Sequence, residues 1–361
     1  MNRLTACLTL RLLPGIGPIT AQKLVHAYGS PEAIFLPGTH PKEAPNPRLL
    51  ALLSQAASVQ KQVEKIKRTL NDQAITPLLW VTAAYPLVLS RCPDAPLILF
   101  VKGQMNWEGR RWIAIVGTRK PTHYGRDNCV ALVKALAPFQ PVIVSGMAYG
   151  IDVLAHKTAL DCGLDTVACL PHALERPLYP AAHQPLAAQV EKQGALVSDF
   201  LVQQGFERGH FVQRNRLIAG LSRATVVIET GRSGGSLLTA QFAHQYDREL
   251  FALPGPVQSE KSQGCHALIQ QHKAILLNTI DVLVETLQWK QSSQPKQQSL
   301  PLDLLPKEQQ LYALLLRLGR THMDALAKQL AWSIAETAVV LMQLEMKKMV
   351  RPLPAKYFEA L

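Results

Sequence analysis

Short, continuous apolar runs alternate with helix-length amphipathic stretches through the middle of this chain. The runs are Ile113–Val116, Val142–Val144, Thr166–Leu170, Ala195–Val197, Ala224–Ile228, Glu249–Leu253 and Ala274–Leu277. A strand covered on both faces must be apolar at successive positions, so the pattern predicts an α/β fold: a parallel sheet with helices above and below. Two further runs, LLWV and LILFV within residues 77–103, are separated by proline-rich turns and read as the lead-in to that sheet.

The flanks carry a helical period. Residues 4–36 give a helix, a Pro14-Gly15-Ile16-Gly17 turn and a second helix, a helix-hairpin-helix (SAM-like) pattern. The second helix would offer its first amides to an anion such as a DNA phosphate, although a small helical domain with a glycine turn explains the pattern equally. From Leu49 the apolar positions 49, 52, 53, 56, 59, 63, 66 and 70 keep helical spacing, and Lys61, Lys65, Lys67 and Arg68 form the solvated side. Residues 291–302 are rich in Gln, Ser and Pro and read as a linker. Beyond it, three helices and a short extended end suggest a winged helix, its third helix opened by Ser333 and Glu336 as a capping box. That third helix shows Ala, Val, Met and Glu outward, with only Lys347 and Lys348 basic, which favours a protein contact over reading DNA. The expected organisation is a helical domain at 1–72, the α/β domain at 73–290, the linker at 291–302 and a winged-helix-like domain at 303–361.

In sheets of this kind, ligands bind beyond the carboxyl ends of the strands. That rule selects four loops: Gly117-Thr118-Arg119-Lys120; the segment from Ser145 and Gly146 to Asp152; the basic segment Arg208 to Arg216; and Gly231 to Ser236. The last is a glycine-rich turn running from a strand into a helix, which leaves backbone N–H groups and the positive end of the helix dipole facing outward. It suits a phosphate, or it is a tight loop needing glycine for its backbone angles. Arg119, Lys120, Arg208, Arg214 and Arg216 supply charge, and Phe211 offers a face on which a base can stack, or a core side chain.

Charge agrees with this picture. The 361 residues carry a formal net charge of +12, and a basic protein of this kind favours polyanions, nucleic acid first. Hydrophobic residues at 48% exclude global disorder. Six cysteines occur without a CxxC pair, and no histidine cluster has zinc-ligand spacing, so a reducing, cytoplasmic setting is expected and no metal site. Arg11 interrupts the first apolar run and Pro14-Gly15 follows it, so neither a signal peptide nor a membrane span is expected.

Several chemistries lack their residues. There is no GxxxxGK[ST], and Gly146-x-Ala148-x-Gly150 is not GxGxxG, so no nucleotide cofactor is expected. Asp152 fits a helix N-cap. Glu229 could bind a ribose hydroxyl or cap the glycine turn. His156, His172, His183 and Asp199 form no recognisable hydrolytic set, and Ser233 and Ser236 lack the GxSxG elbow.

The blocks YPLVLSRCPDAPLILFVKG, IAIVGTRKPTHYG, VIVSGMAYGIDVLAHKTAL, FVQRNRLIAGLS, VVIETGRSGGSLLTAQFA and ELFALPGP, over about residues 85–277, resemble the DNA-processing protein A (DprA/Smf) family. The resemblance implies an extended Rossmann-like domain that binds single-stranded DNA, dimerises, and loads the RecA recombinase during natural transformation, without catalysis. It also implies DNA contacts. Gly117-Thr118-Arg119 matches the family's G-S/T-R loop, whose Arg meets a phosphate. Arg208 matches a basic contact three residues before the aromatic. Phe211, Arg214, Asn215 and Arg216 match the F-x-x-R-N-R block. With Lys120, Ser145, Gly146, Ser233, Gly234, Gly235 and Ser236 these make the expected DNA-binding set. Two departures stand out: Val212 replaces a proline common after the Phe, and Leu170 to Arg176 replaces a glycine-rich approach to Tyr179-Pro180. The rival from another class is an enzyme of the phosphoribohydrolase type, which usually shows PGGxGT where this chain has Ser233-Gly234-Gly235-Ser236-Leu237. A third possibility is an adaptor whose basic surface is incidental.

Overall fold

The computed structural model describes residues 1–39, 41, 46–202, 204–205, 207, 209–289, 304–347, 349–353 and 356–360. They divide into two compact units, Met1–Ser292 and Ser293–Leu361. The expected linker lies outside the described residues.

The first unit is built on one sheet of nine strands: β1 Thr76–Leu79, β2 Ile98–Gly103, β3 Trp112–Val116, β4 Val142–Ser145, β5 Thr166–Cys169, β6 Ala195–Ser198, β7 Ala224–Val227, β8 Glu249–Ala252 and β9 Ile275–Leu276. Their order is β1-β2-β6-β5-β4-β3-β7-β8-β9. From β3 to β9 every pairing is parallel. The seven apolar runs therefore became the seven parallel strands. The two runs read as a lead-in join the same sheet: β2 pairs antiparallel with β6, and β1 with β2. They occupy an edge of β6 that would otherwise expose a row of unpaired backbone groups.

Both faces of the sheet are covered, which explains the continuous apolar runs. On β3, Ile113 and Ile115 enter one core while Trp112, Ala114 and Val116 enter the other. On β2, Leu99 and Val101 face one way and Ile98 and Phe100 the opposite way. That second pair meets Leu8, Leu24, Val63, Ile66 and Leu70 from the first seventy-odd residues, so the helical start of the chain shares a core with the sheet. Its helices Arg3–Leu12 and Pro18–Tyr28 flank the turn at Gly15, whose φ of 81° suits glycine. The helical spacing from Leu49 resolves into Pro47–Leu53, a 3₁₀ stretch Ser54–Val59, and Gln60–Asp72.

The second unit has helices Pro306–Leu318, Met323–Leu330 and Ile334–Met346, with a small antiparallel sheet of β10 Thr321–His322, β11 Val350–Leu353 and β12 Tyr357–Ala360 in the order β10-β12-β11. This is a winged helix. The Ser333 hydroxyl accepts the Glu336 N–H at 3.1 Å, as a cap should. Val339, Met342 and Met346 are exposed on the third helix. Its Lys347 is taken by the buried Glu308 carboxylate at 2.7 Å, and that hydrogen bond holds Glu308 below the usual carboxylate range. Among the described residues no single helix is long and apolar enough to cross a membrane.

One buried group makes the first unit sensitive to acid. His156 is fully buried in helix Ile151–Asp161. Its Nδ1 lies 2.7 Å from the Thr166 hydroxyl oxygen, and that hydroxyl spends its proton on the Ile143 carbonyl at 2.8 Å. Nδ1 must therefore be the donor, and Nε2 is buried without a partner among the described residues. Burial, with Arg214 and His183 adding repulsion, pushes the imidazole down to about 3. The unfolded chain binds this proton below about pH 6.5 and the folded chain refuses it until about pH 3, so stability falls as pH drops through that window. Between about pH 8 and about pH 5 the loss should be about 2 kcal/mol. Urea unfolding of the first unit at those two pH values should show it, and His156→Asn, which keeps an N–H donor and removes the titration, should abolish that share.

Candidate nucleic-acid interface

From β3 the chain steps to β4, β5 and β6 on one side, then crosses back to β7, β8 and β9 on the other. The loops after β3 and β7 therefore diverge and leave a crevice at the carboxyl end of the sheet, where ligands of such folds bind. A cavity of about 590 Å³ lies there. It is lined by Gly117 to Lys120, by Phe211, Val212, Arg214 and Asn215 from helix Gly209–Leu221, by Thr230, Gly231 and Ser233 to Ser236, and by Ala148, Asp152 and Lys261. Four basic side chains face one carboxylate among these described residues.

The loop after β3 is held by its backbone, which frees its side chains. The Thr118 N–H donates to the Glu229 carbonyl at 2.7 Å, and the Thr118 carbonyl accepts the Ile151 N–H at 3.3 Å. Gly150 allows that approach: its φ is 84°, and a Cβ there would stand 2.3 Å from the Thr118 carbonyl oxygen. Arg119 then lies with its guanidinium carbon 5.1 Å from the centre of the Phe211 ring, within cation–π range.

The glycine turn faces it. The Gly234 N–H donates back to the Gly231 carbonyl at 3.2 Å, and a Cβ on Gly234 would meet the Thr230 hydroxyl at 2.1 Å. Helix Ser236–Gln245 follows with Gly235 as N-cap, which sets the positive dipole end at the cavity wall, while the Leu237 and Leu238 N–H groups donate to the Gly234 and Gly235 carbonyls at 3.0 and 3.1 Å. The Ser236 hydroxyl is buried on the cavity wall with no hydrogen-bond partner among the described residues. Asn215 donates from Nδ2 to the Gly235 carbonyl at 3.4 Å and so fastens the turn to the neighbouring helix.

Arg214 is a different kind of cation from Arg119. It is 3% exposed, and one terminal nitrogen donates to the carbonyls of Gly146 and, at 2.6 Å, Cys169. Burial pulls the guanidinium below its usual value, and Asp152 opposes that. Burial likewise raises the Asp152 carboxyl, while Arg214, the Ala148 N–H, Ser145 and Arg119 pull it back. Asp152 accepts the Ala148 N–H at 3.3 Å within the first turn of its helix, whose N-cap is Gly150. Asp152 is therefore not the N-cap expected for it: it stands two residues after Gly150, inside the first turn, and its carboxylate serves as the counter-charge to Arg214.

Other expected residues are placed elsewhere. Arg216 lies on the opposite side of the helix, paired with Asp199 and, at 3.2 Å, with Asp94, and does not line the cavity. Burial disfavours its charge, but those two carboxylates outweigh it and raise the guanidinium above its usual value. Ser145 is fully buried, its hydroxyl donating to the Ile115 carbonyl at 2.7 Å. Gly146 lies under the floor, where its carbonyl holds Arg214. Arg208 falls outside the described residues. Glu229 neither caps the glycine turn nor faces the cavity: it accepts the Thr122 N–H at 2.9 Å and the Thr122 hydroxyl at 2.6 Å, bracing the start of helix His123–Leu136. Of the departures noted in sequence, Val212 is exposed on the cavity wall, while Leu170 and Leu174 fill the core beneath it.

Lys261 was absent from the expected set. It follows β8, and the rule that chose the other loops would have chosen this one had it been applied to that strand.

The chain is similar to known proteins along most of its length. Residues 77–288 match the family model described as DNA recombination-mediator protein A, and residues 294–356 match the DprA winged helix domain. A Mycobacterium tuberculosis relative described as a DNA processing protein DprA is 39% identical over 196 residues, 54% of this chain and 50% of the relative, so the match spans about half of that protein's length. The crystal structure of DNA processing protein A from Streptococcus pneumoniae aligns with a TM-score of 0.64 at 29% identity, covering 78% of this chain and 97% of that one. The DNA processing protein A of Helicobacter pylori, a structure that describes a single-stranded DNA binding mode, aligns with a TM-score of 0.53 at 27% identity over 59% of this chain and 95% of its own. Sheet, crevice, winged helix and family matches converge: this chain belongs to the DNA recombination-mediator protein A (DprA/Smf) family.

Proposed function

We propose that this chain binds single-stranded DNA in the crevice between the loops after β3 and β7. The observation that carries the reading is Arg119 lying over Phe211 opposite the amide-rich glycine turn. Arg119, Lys120 and Lys261 offer charge to successive phosphates, and the Gly235 N–H at the start of helix Ser236–Gln245, with the positive dipole end behind it, offers a hydrogen bond to one more. Phe211 offers a ring on which a base can stack, a contact that tolerates any sequence because every base has a flat face. Arg214 acts from below, fixing the loop carbonyls on which the crevice depends.

Family membership extends the proposal. The chain would protect incoming strands and load RecA recombinase during natural transformation, acting in the cytoplasm as a homodimer through its Rossmann-like domain, with the winged helix reserved for protein contact. The enzymatic rival fits less well. Asp152, the acidic side chain among the described lining residues, faces Arg214, and Glu229 is spent on Thr122, which leaves no carboxylate placed for acid–base work.

Salt dependence tests the site. The logarithm of the binding constant should fall linearly with the logarithm of salt concentration, at about −0.7 per phosphate neutralised on a single strand. Arg119→Ala and Lys261→Ala should each weaken binding and flatten that slope by about 0.7; unchanged slopes in both variants would remove the site. Arg216→Leu should leave the slope alone but cost about 3–5 kcal/mol of stability in a thermal melt, because the buried Asp199 loses its partner.

A further inference from the structure

Two aromatic rings that do not line the cavity stand on the same rim, farther along the sheet. Tyr149 follows β4 and is 50% exposed; Tyr179 follows β5 and is 51% exposed. Large aromatic side chains normally bury most of their surface, so two half-exposed rings beside a polyanion crevice call for an explanation. Both are held in place. The Tyr149 ring meets His183 edge to face at 4.6 Å, and His183 Nδ1 lies 2.9 Å from the Met147 carbonyl. Met147 is fully buried with a φ of 62°, a left-handed conformation rare for a non-glycine residue, so the loop that carries Tyr149 is fixed by its core. The Tyr179 ring meets Phe211 edge to face at 5.9 Å, and Phe211 in turn carries Arg119. Because β3, β4 and β5 are neighbours in the sheet, the loops bearing Arg119, Tyr149 and Tyr179 follow one another along its edge.

We propose that Tyr149 and Tyr179 form a second stacking platform, which takes bases of the same single strand after it leaves the crevice in the direction of β5. The inference rests on the single-stranded DNA reading and extends it from one pocket to a track. The chemistry is stacking alone: the platform adds affinity only for strands long enough to reach it, and it releases no phosphate counterions.

The test compares poly-dT oligonucleotides of about four and about twelve nucleotides by fluorescence anisotropy, a length range typical of single-strand binding sites. The probes are the full chain, Tyr149→Ala, Tyr179→Ala and the corresponding Phe variants. The unmodified chain should prefer the longer strand. Each Ala variant should lose about 10-fold or more on it, compressing the ratio between long and short, with the salt slope unchanged and the Phe variants restoring affinity. Equal loss on both lengths in Tyr149→Ala, whose ring packs on His183 and not on Phe211, or no loss on the longer strand in either variant, would overturn the platform while leaving the crevice standing. If the unmodified chain binds neither oligonucleotide, the single-stranded DNA reading falls and the platform with it. Thermal melts of the Ala variants separate unfolding from lost stacking, and a variant that melts early without rescue by Phe counts against the proposal.

Discussion

A buried guanidinium holds the carboxyl end of this sheet together. Gly146, just after β4, and Cys169, the last residue of β5, turn their carbonyls inward, where no water can reach them, and Arg214 satisfies both. A buried unpaired carbonyl costs on the order of 1–3 kcal/mol, and a buried lone cation costs more. The arrangement survives because Asp152 answers the charge. Four groups thus satisfy one another: the Arg214 guanidinium, the Gly146 and Cys169 carbonyls and the Asp152 carboxylate, drawn from two helices, a loop and a strand end. The crevice above inherits its shape from that agreement, including the position of Gly150 against Thr118 and hence the direction in which Arg119 leaves its loop.

This division between floor and wall clarifies the chemistry. Basic residues in one short block, Arg214 and Arg216, are structural in two different ways, one beneath the cavity and one locked to Asp199 and Asp94. The cations that reach solvent at the crevice come from loops far apart in sequence. The aromatic rings obey the same logic: Phe211 starts a helix and Tyr149 and Tyr179 follow strands, yet all lie along one edge of the sheet.

The sheet was legible in sequence because burial on both faces forces an unmistakable run of apolar residues, and all seven such runs are strands. The strand-end rule then selected the loops at the crevice. It could not tell which side chain of a selected loop points up or down. Ser145 and Arg216 bear the right chemistry, and only packing reveals that one is buried against Ile115 and the other faces two carboxylates. The two runs at the antiparallel edge were visible, but their membership of the sheet was not, because proline-rich turns and only a one-turn helix, Leu87–Ser90, separate them. Lys261 escaped because a polar loop after β8 carries no pattern of its own, only its position after a strand.

The strand order carries one last consequence. The crevice lies where the chain reverses its direction of travel across the sheet, so its walls are contributed by residues near 117, 150, 214, 235 and 261. No single segment contains all of it: helix Gly209–Leu221 and the glycine turn meet across 20 residues, but the wall that carries Arg119 comes from before β4. The wall that carries Arg119 faces Phe211 only after β4, β5 and β6 have found their places, so loop-closure entropy must be met over that whole stretch first. The full crevice is therefore in place only once β7 and β8 have inserted beside β3, so a ligand that needs Arg119, the glycine turn and Lys261 together must wait for the completed sheet.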